Sequence, residues 1–223
     1  MIEISLYSEE KTIERVSRVM KRQHLGEEIA MDINPDSREL FGKELSNIQT
    51  VDRILSDVRK EGDSAVKRFC AHFDGFELED IRVSNDEVRG AYNETSDRLK
   101  KSMQEVKQNI EKFQKRLLPR DIPLEKSCGA GKTGAFYRPI ERVGIYVPGG
   151  TSGKTPLCSS VLMNAVPALV AGVDNICLAT PADRDGNVAP EILVAADMTG
   201  IRDIVKIGGA QAIAALAYGT DSV

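Results

Sequence analysis

Tryptophan is absent, and the 223 residues hold only 5 tyrosines and 6 phenylalanines, an aromatic content of 5%. So thin a supply argues against an aromatic platform for stacking single-stranded nucleic acid. The chain carries 2 histidines, His24 and His72. A histidine-rich zinc site cannot be assembled from it alone. Its 4 cysteines, Cys70, Cys128, Cys158 and Cys177, include no C-x-x-C pair. Thiols this far apart read as reduced cysteines of a cytoplasmic protein. No apolar run reaches the roughly 18–20 residues that a membrane span needs. The opening MIEISLYSEE lacks a basic stretch followed by an apolar one, so no secretory signal is expected. A formal net charge of −4 gives no reason to expect a nucleic-acid or anionic-membrane partner.

What remains is an ordinary globular composition, 41% hydrophobic and 29% charged. That supplies a packed core and argues against disorder. The length fits one large domain or two small ones, and three textures divide it. Residues 1–30 are polar, with Ile13, Val16, Val19 and Met20 at helical spacing, which predicts an arm or docking helix. Residues 31–140 read as a first α/β unit, mostly helical. In TVDRILSDVRKEGDSAVKRFCAHFD two helices are expected, broken at Gly62 and with Asp63 capping the second. LEDIRVS is a short strand candidate. Ser84 and Glu87 form an S-x-x-E capping box. Behind it, Val88, Tyr92, Thr95, Leu99, Met103, Val106, Ile110, Phe113 and Leu117 recur at steps of three and four. That stripe predicts one helix of about eight turns running to Pro119, its apolar side facing a core.

Residues 141–223 change rhythm. RVGIYVP, DNICLAT and IRDIVKI read as strands. PLCSSVLMNAVPALVAG, VAPEILVAADMTG and GAQAIAALAYGT read as helices, ending near Gly172, Gly200 and Gly219. Strand–helix alternation at this spacing predicts a parallel sheet with right-handed crossovers. Three strands make a thin core, and the first unit is short of strands too. The fold class is therefore α/β with incomplete parallel sheets, completed by more chain or by a partner.

Three glycine patterns invite a nucleotide reading. VPGGTSGKTP ends in the G-K-T of a triphosphate-binding loop, but the position of the first required glycine is Pro148, which has no N–H to offer a phosphate. Gly131-Lys132-Thr133 fails in the same way, with Lys126 where the glycine belongs. Gly129, Gly131 and Gly134 spell G-x-G-x-x-G, yet they lead into a loop and then a strand rather than a helix, so they read as an ordinary loop. The turn Val147–Gly150 is different. It leaves the carboxyl end of a parallel strand and approaches a helix, as Gly208–Gly209 does after the third strand. Glycine lets a ligand approach the backbone, and a helix N-terminus favours anionic groups. Gln211, in the first turn of the last helix, adds an amide that both donates and accepts.

RVGIYVPGG, SSVLMNAVPALVAGV and KIGGAQAIAALAYGT, in that order and spacing, resemble the histidinol dehydrogenase family. VRKEGDSAVKRFCAHFDGF and YRPIERVG add to the likeness, which covers residues 45–223 and the N-terminal half of the family only. The resemblance implies NAD-dependent oxidation of L-histidinol through L-histidinal to L-histidine by a zinc-containing cytoplasmic homodimer. It implies two incomplete Rossmann-like α/β units with parallel sheets, the second of which, residues 141–223, is a truncated NAD-binding domain. Tyr146 and Gln211 are its NAD contacts, with Gly149, Gly150, Gly208 and Gly209 forming the adjoining turns. The family's zinc ligands, catalytic Glu-His pair and most substrate contacts belong to its later half. No catalytic or metal residue is therefore assigned in these 223 residues, and they are expected to be inactive alone. The SGKT at Ser152–Thr155 is an insertion relative to the family. A related dehydrogenase of another hydroxyl substrate, or a non-catalytic nucleotide-binding or dimerisation fragment, are the alternatives.

Overall fold

The computed structural model describes residues 32–75, 77–126, 129, 131–149 and 156–223. The expected arm over residues 1–30, Gly150 and the SGKT insertion lie outside the described residues. The chain divides into two compact units between Ser56 and Asp57, whereas the sequence reading places its boundaries at 30/31 and 140/141.

In the first unit, helix α1 (Ser37–Phe41) stops at Gly42, which takes the left-handed φ of 70°. A single antiparallel bridge joins Ile33 to Ser46, and the Asn34 amide donates to Asn47 Oδ1 at 2.8 Å. The unit boundary falls within helix α2 (Asn47–Glu61).

The second unit contains helix α3 (Asp63–Asp74) after the expected break at Gly62. Asp63 is not its cap. Gly62 occupies that position without a side-chain bond, and the Asp63 carboxylate instead accepts from Ser222 Oγ at 2.5 Å, near the C-terminus. Burial by itself would raise the Asp63 carboxyl, but the hydrogen bonds from Ser222 and Thr220 bring it below its ordinary value.

The expected eight-turn helix is two helices, α4 (Asn85–Glu94) and α5 (Asp97–Leu117). The Ser84–Glu87 capping box is present at the start. Between them Thr95 and Ser96 are extended, and Ser96 Oγ accepts from the Leu99 N–H at 3.3 Å. Ser96 thus caps α5, and changing it to Ala is expected to cost about 1 kcal/mol. Urea denaturation reads this directly: an unchanged midpoint for Ser96→Ala would mean that the break is set by packing alone. The apolar stripe buries Met103 and half-buries Val88, Tyr92, Leu99 and Ile110. Its far end is exposed at Val106, Phe113 and Leu117.

A hairpin that periodicity did not foretell follows: β1 (Ile122–Lys126) antiparallel to β2 (Lys132–Ala135). Its register slips between Ile122 and Glu125, around Pro123, which has no N–H for the ladder. Gly134 lies in β2, and a Cβ there would sit 2.7 Å from the Ile122 carbonyl oxygen. The G-x-G-x-x-G thus serves a hairpin crossing, not a strand-to-helix turn.

The α/β segment follows the expected rhythm: β3 (Arg142–Tyr146), α6 (Cys158–Ala171), β4 (Asn175–Ala179), α7 (Pro190–Met198), β5 (Asp203–Val205) and α8 (Gly209–Tyr218). The strands form a parallel sheet in the order β3-β4-β5, with Gly144 opposite Cys177 and Ile145 opposite Leu178. LEDIRVS contributes one antiparallel bridge, Arg82 to Val205, at the outer edge of β5. Both sheet faces are covered. Ile145 and Leu178 join a core with α6 and α7, over which α4 and α5 pack. On the opposite face α8 lies against β3 so closely that a Cβ on Gly144 would meet Leu216 at 2.9 Å. Tyr92 Oη donates to Asp197 Oδ2 at 2.7 Å and Lys107 Nζ to the Met198 carbonyl at 2.6 Å, fastening α4 and α5 to the end of α7. The sheet itself remains three strands wide, an incomplete parallel α/β unit.

Candidate functional site

Three chain turns leave the carboxyl edge of the sheet together. Tyr146 is the last residue of β3. The ladder continues past it, with the Val147 N–H donating to the Ala179 carbonyl at 2.9 Å and the Thr180 N–H to the Val205 carbonyl at 3.1 Å. Pro181, directly after Thr180, becomes the hub. A Cβ on Gly149 would lie 3.0 Å from its Cγ, and a Cβ on Gly208 would lie 2.8 Å from its Cβ. These two glycines therefore make room first for the protein's own proline. Gly209 is needed for a second reason: its φ is 62°, where a side chain is strained.

Tyr146 and Gln211 meet at this edge. The Gly209 N–H, in the first turn of α8, donates to Tyr146 Oη at 3.3 Å. The N-cap residue of α8 is Gly208, which has no side chain to offer, so the Tyr146 hydroxyl is the side-chain oxygen that this helix start meets. Gln211 is 1% exposed, and neither its Oε1 nor its Nε2 makes a hydrogen bond of normal geometry, although the Cys70 thiol lies close enough to interact with the amide. Its amide lies against Gly209, with Oε1 only 2.7 Å from where a Gly209 Cβ would stand. Behind it, burial pushes the Cys70 thiol up to about 12, the Asp74 carboxylate adding to the rise while the Gln211 amide and Gly208 N–H oppose it. Burial also raises Asp74, whose enclosed Oδ2 is unpartnered. Cys70 is thus a neutral, unreactive thiol at neutral pH. Thr180 Oγ1, at the end of β4, is fully buried and unpartnered as well.

A cleft of about 1150 Å³ opens beside Gly149 and Pro181. Asp183, Asp185 and Glu191 line it from the β4–α7 turn and α7, and Asp74 and Glu94 from α3 and α4. Asp183 Oδ1 accepts the N–H groups of Asp185 and Asn187, both at 2.9 Å, which fixes the turn. Sequence reasoning did not single out Pro181 or this turn, although P-A-D-R-D-G-N between a strand and a helix is a turn signal. Among the described residues no three His, Cys, Asp or Glu side chains gather as a metal site.

A parallel sheet with helices on both faces and glycine turns gathered at its carboxyl edge defines an α/β unit of the Rossmann-like class. Comparison with known proteins makes this particular. The histidinol dehydrogenase family model matches residues 41–223. The chain is 42% identical over 187 residues to the histidinol dehydrogenase of Clostridium acetobutylicum, covering 83% of this chain and 42% of that protein. It is 45% identical over 175 residues to that of Moorella thermoacetica, covering 78% of this chain and 40% of the other. A crystal structure of histidinol dehydrogenase from Elizabethkingia anophelis superposes with a TM-score of 0.75 at 39% identity, over 81% of this chain and 41% of that one. The chain belongs to the histidinol dehydrogenase family. It spans about two fifths of the length of these relatives, in their N-terminal half.

Proposed function

We propose that this chain forms one wall of the NAD site of a histidinol dehydrogenase-type enzyme, which oxidises L-histidinol through L-histidinal to L-histidine. The observation that carries the reading is Gln211: an amide 1% exposed that makes no hydrogen bond of normal geometry, at the carboxyl edge of a parallel sheet. A buried polar group left unpaired costs about 1–3 kcal/mol, and such groups persist where a ligand completes them. NAD supplies the hydride acceptor when bound. The chain's own residues bind and orient it: Gln211 pairs with a polar edge of the cofactor, Tyr146 closes on it, and Gly149, Gly208 and Gly209 shape the turns. Gly150 belongs to the same expectation and lies outside the described residues. Zinc belongs to the family expectation, but the described residues offer no donor set for it, so no step is derived through it. The enzyme is further read as a cytoplasmic homodimer. The exposed apolar side chains Ile122, Leu124, Phe136 and Ile140 on and beside the hairpin support a covered face. No described helix is long and apolar enough to cross a membrane.

Titrating NAD into the protein while following backbone amides is expected to shift Gly209, Gln211 and Gly149 at millimolar cofactor or below. The same 223 residues supplied with histidinol and NAD are expected to yield no NADH. An absence of amide shifts at millimolar NAD would count against the binding wall, and NADH production would count against the division of labour.

A further inference from the structure

We infer that Cys70 is a positioning residue: its thiol, set between the Asp74 carboxylate and the Gln211 amide, holds that amide with Oε1 turned to Gly209. The inference rests on the nucleotide-site reading above and adds to it a residue that acts through another.

Two observations agree on the orientation. The first is where the groups stand. Cys70 in α3 and Gln211 in the first turn of α8 are both enclosed, at 0% and 1% exposure. The oxygen end of the amide is the nearer to Gly209: an added Gly209 Cβ would lie 2.7 Å from Oε1 and 3.2 Å from Nε2. The second is the supply of donors. A neutral thiol has one proton to give and sulfur lone pairs to receive. Asp74 stands four residues after Cys70 in α3, on the same helix face, and a carboxylate only accepts. The thiol proton therefore goes to Asp74. The sulfur is left to accept from the donors that face it, the Gln211 Nε2–H and the Gly208 N–H. The shift of the thiol follows the same assignment, raised by the carboxylate and lowered by the amide and the Gly208 N–H. A reversed amide would set its oxygen against the sulfur lone pairs with no proton between them. Sulfur is a weak acceptor, so the restraint is one of direction more than of strength. It spares a ligand the cost of ordering the amide.

Cys70→Ala and Cys70→Ser, made in the full chain, differ by one hydroxyl, so the space left by the sulfur is nearly common to both. Without ligand, the Gln211 side-chain NH2 protons are expected to exchange with solvent faster in the Ala variant than in the parent. They are expected to regain protection in the Ser variant, which keeps a donor and an acceptor in place of the thiol. With NAD, the Ala variant is expected to bind roughly three- to tenfold more weakly than the parent, the worth of one neutral hydrogen bond. The Ser variant is expected to recover most of that loss. Equal NAD affinity in the parent and the Ala variant overturns the positioning role. So does a Ser variant that binds as weakly as the Ala variant, because lost packing then accounts for the effect. Unchanged Gln211 NH2 protons in the Ala variant overturn the restraint itself. If the parent binds no NAD, the nucleotide reading falls, and the NH2 protons of the ligand-free proteins alone decide whether Cys70 holds the amide. Should the Ala variant fail to fold, as its backbone amide spectrum would show, Cys70→Val fills the site without donor or acceptor and takes its place in the same comparison.

Discussion

Replacing Gln211 with Met is expected to make the ligand-free protein more stable while removing its affinity for NAD. Methionine is flexible and close in length to glutamine, so it can fill the same space. The residue is 1% exposed and its amide makes no hydrogen bond of normal geometry, the weak contact with the Cys70 thiol aside, so the substitution deletes a largely uncompensated desolvation cost. The expected gain is about 1–3 kcal/mol. At roughly 2–4 °C per kcal/mol for a chain of this size, the melting temperature rises by several degrees. The same change removes the donor and acceptor offered to the cofactor. A calorimetric scan and an NAD titration on one sample read both effects. Opposite signs of stability and function are the mark of a residue kept for binding. Loss of more than about 1 kcal/mol on substitution would instead show that the amide has a structural partner such as a buried water.

The contrast between Gln211 and its surroundings shows what the sequence could reveal. The three parallel strands were legible because each is a short apolar run, deeply buried in β4 and β5, and the helices between them end near glycines. Tyr146 was named through resemblance alone, since nothing in periodicity marks a tyrosine at a strand end, whereas Gln211 stood out as an amide in the first turn of the last helix before any resemblance. The break at Thr95–Ser96 was hidden because the apolar stripe keeps its phase across it: Tyr92, Thr95 and Leu99 stand at helical steps on both sides. Only the Ser96–Asp97 pair, a cap followed by an acid, hinted at a second helix start. The hairpin was hidden for the opposite reason. Nearly all of its residues face solvent, so β1 and β2 carry no inward-outward alternation, and Pro123 reads as a breaker. The packing of Gly149 and Gly208 on Pro181 was beyond reach, because it joins turns from three separate strands and depends on distances that no local pattern encodes.

That packing yields the second large effect. Gly208→Ala is expected to cost about 1–3 kcal/mol and to weaken NAD binding, although Gly208 itself sits at a φ of −104° that alanine tolerates. The cost is steric. The new methyl would lie 2.8 Å from Pro181 Cβ, an atom fixed in a ring and one bond from the backbone. Relief requires the β4 and β5 turns to part, and the β4 turn carries Asp183 and the cleft wall with it. Gly149→Ala is expected to cost less. Its methyl meets Pro181 Cγ at 3.0 Å, and a change of ring pucker moves that atom more easily. The decisive measurement is a double-mutant cycle by urea denaturation. Pro181→Gly removes the opposing Cβ, so the combination with Gly208→Ala should lose less stability than the sum of the two single changes. Strict additivity would show that the two turns do not bear on each other and that the edge is loosely assembled. Sub-additivity, with NAD affinity partly restored in the double variant relative to Gly208→Ala, is expected because the strand-end turns are held in register by that one proline ring.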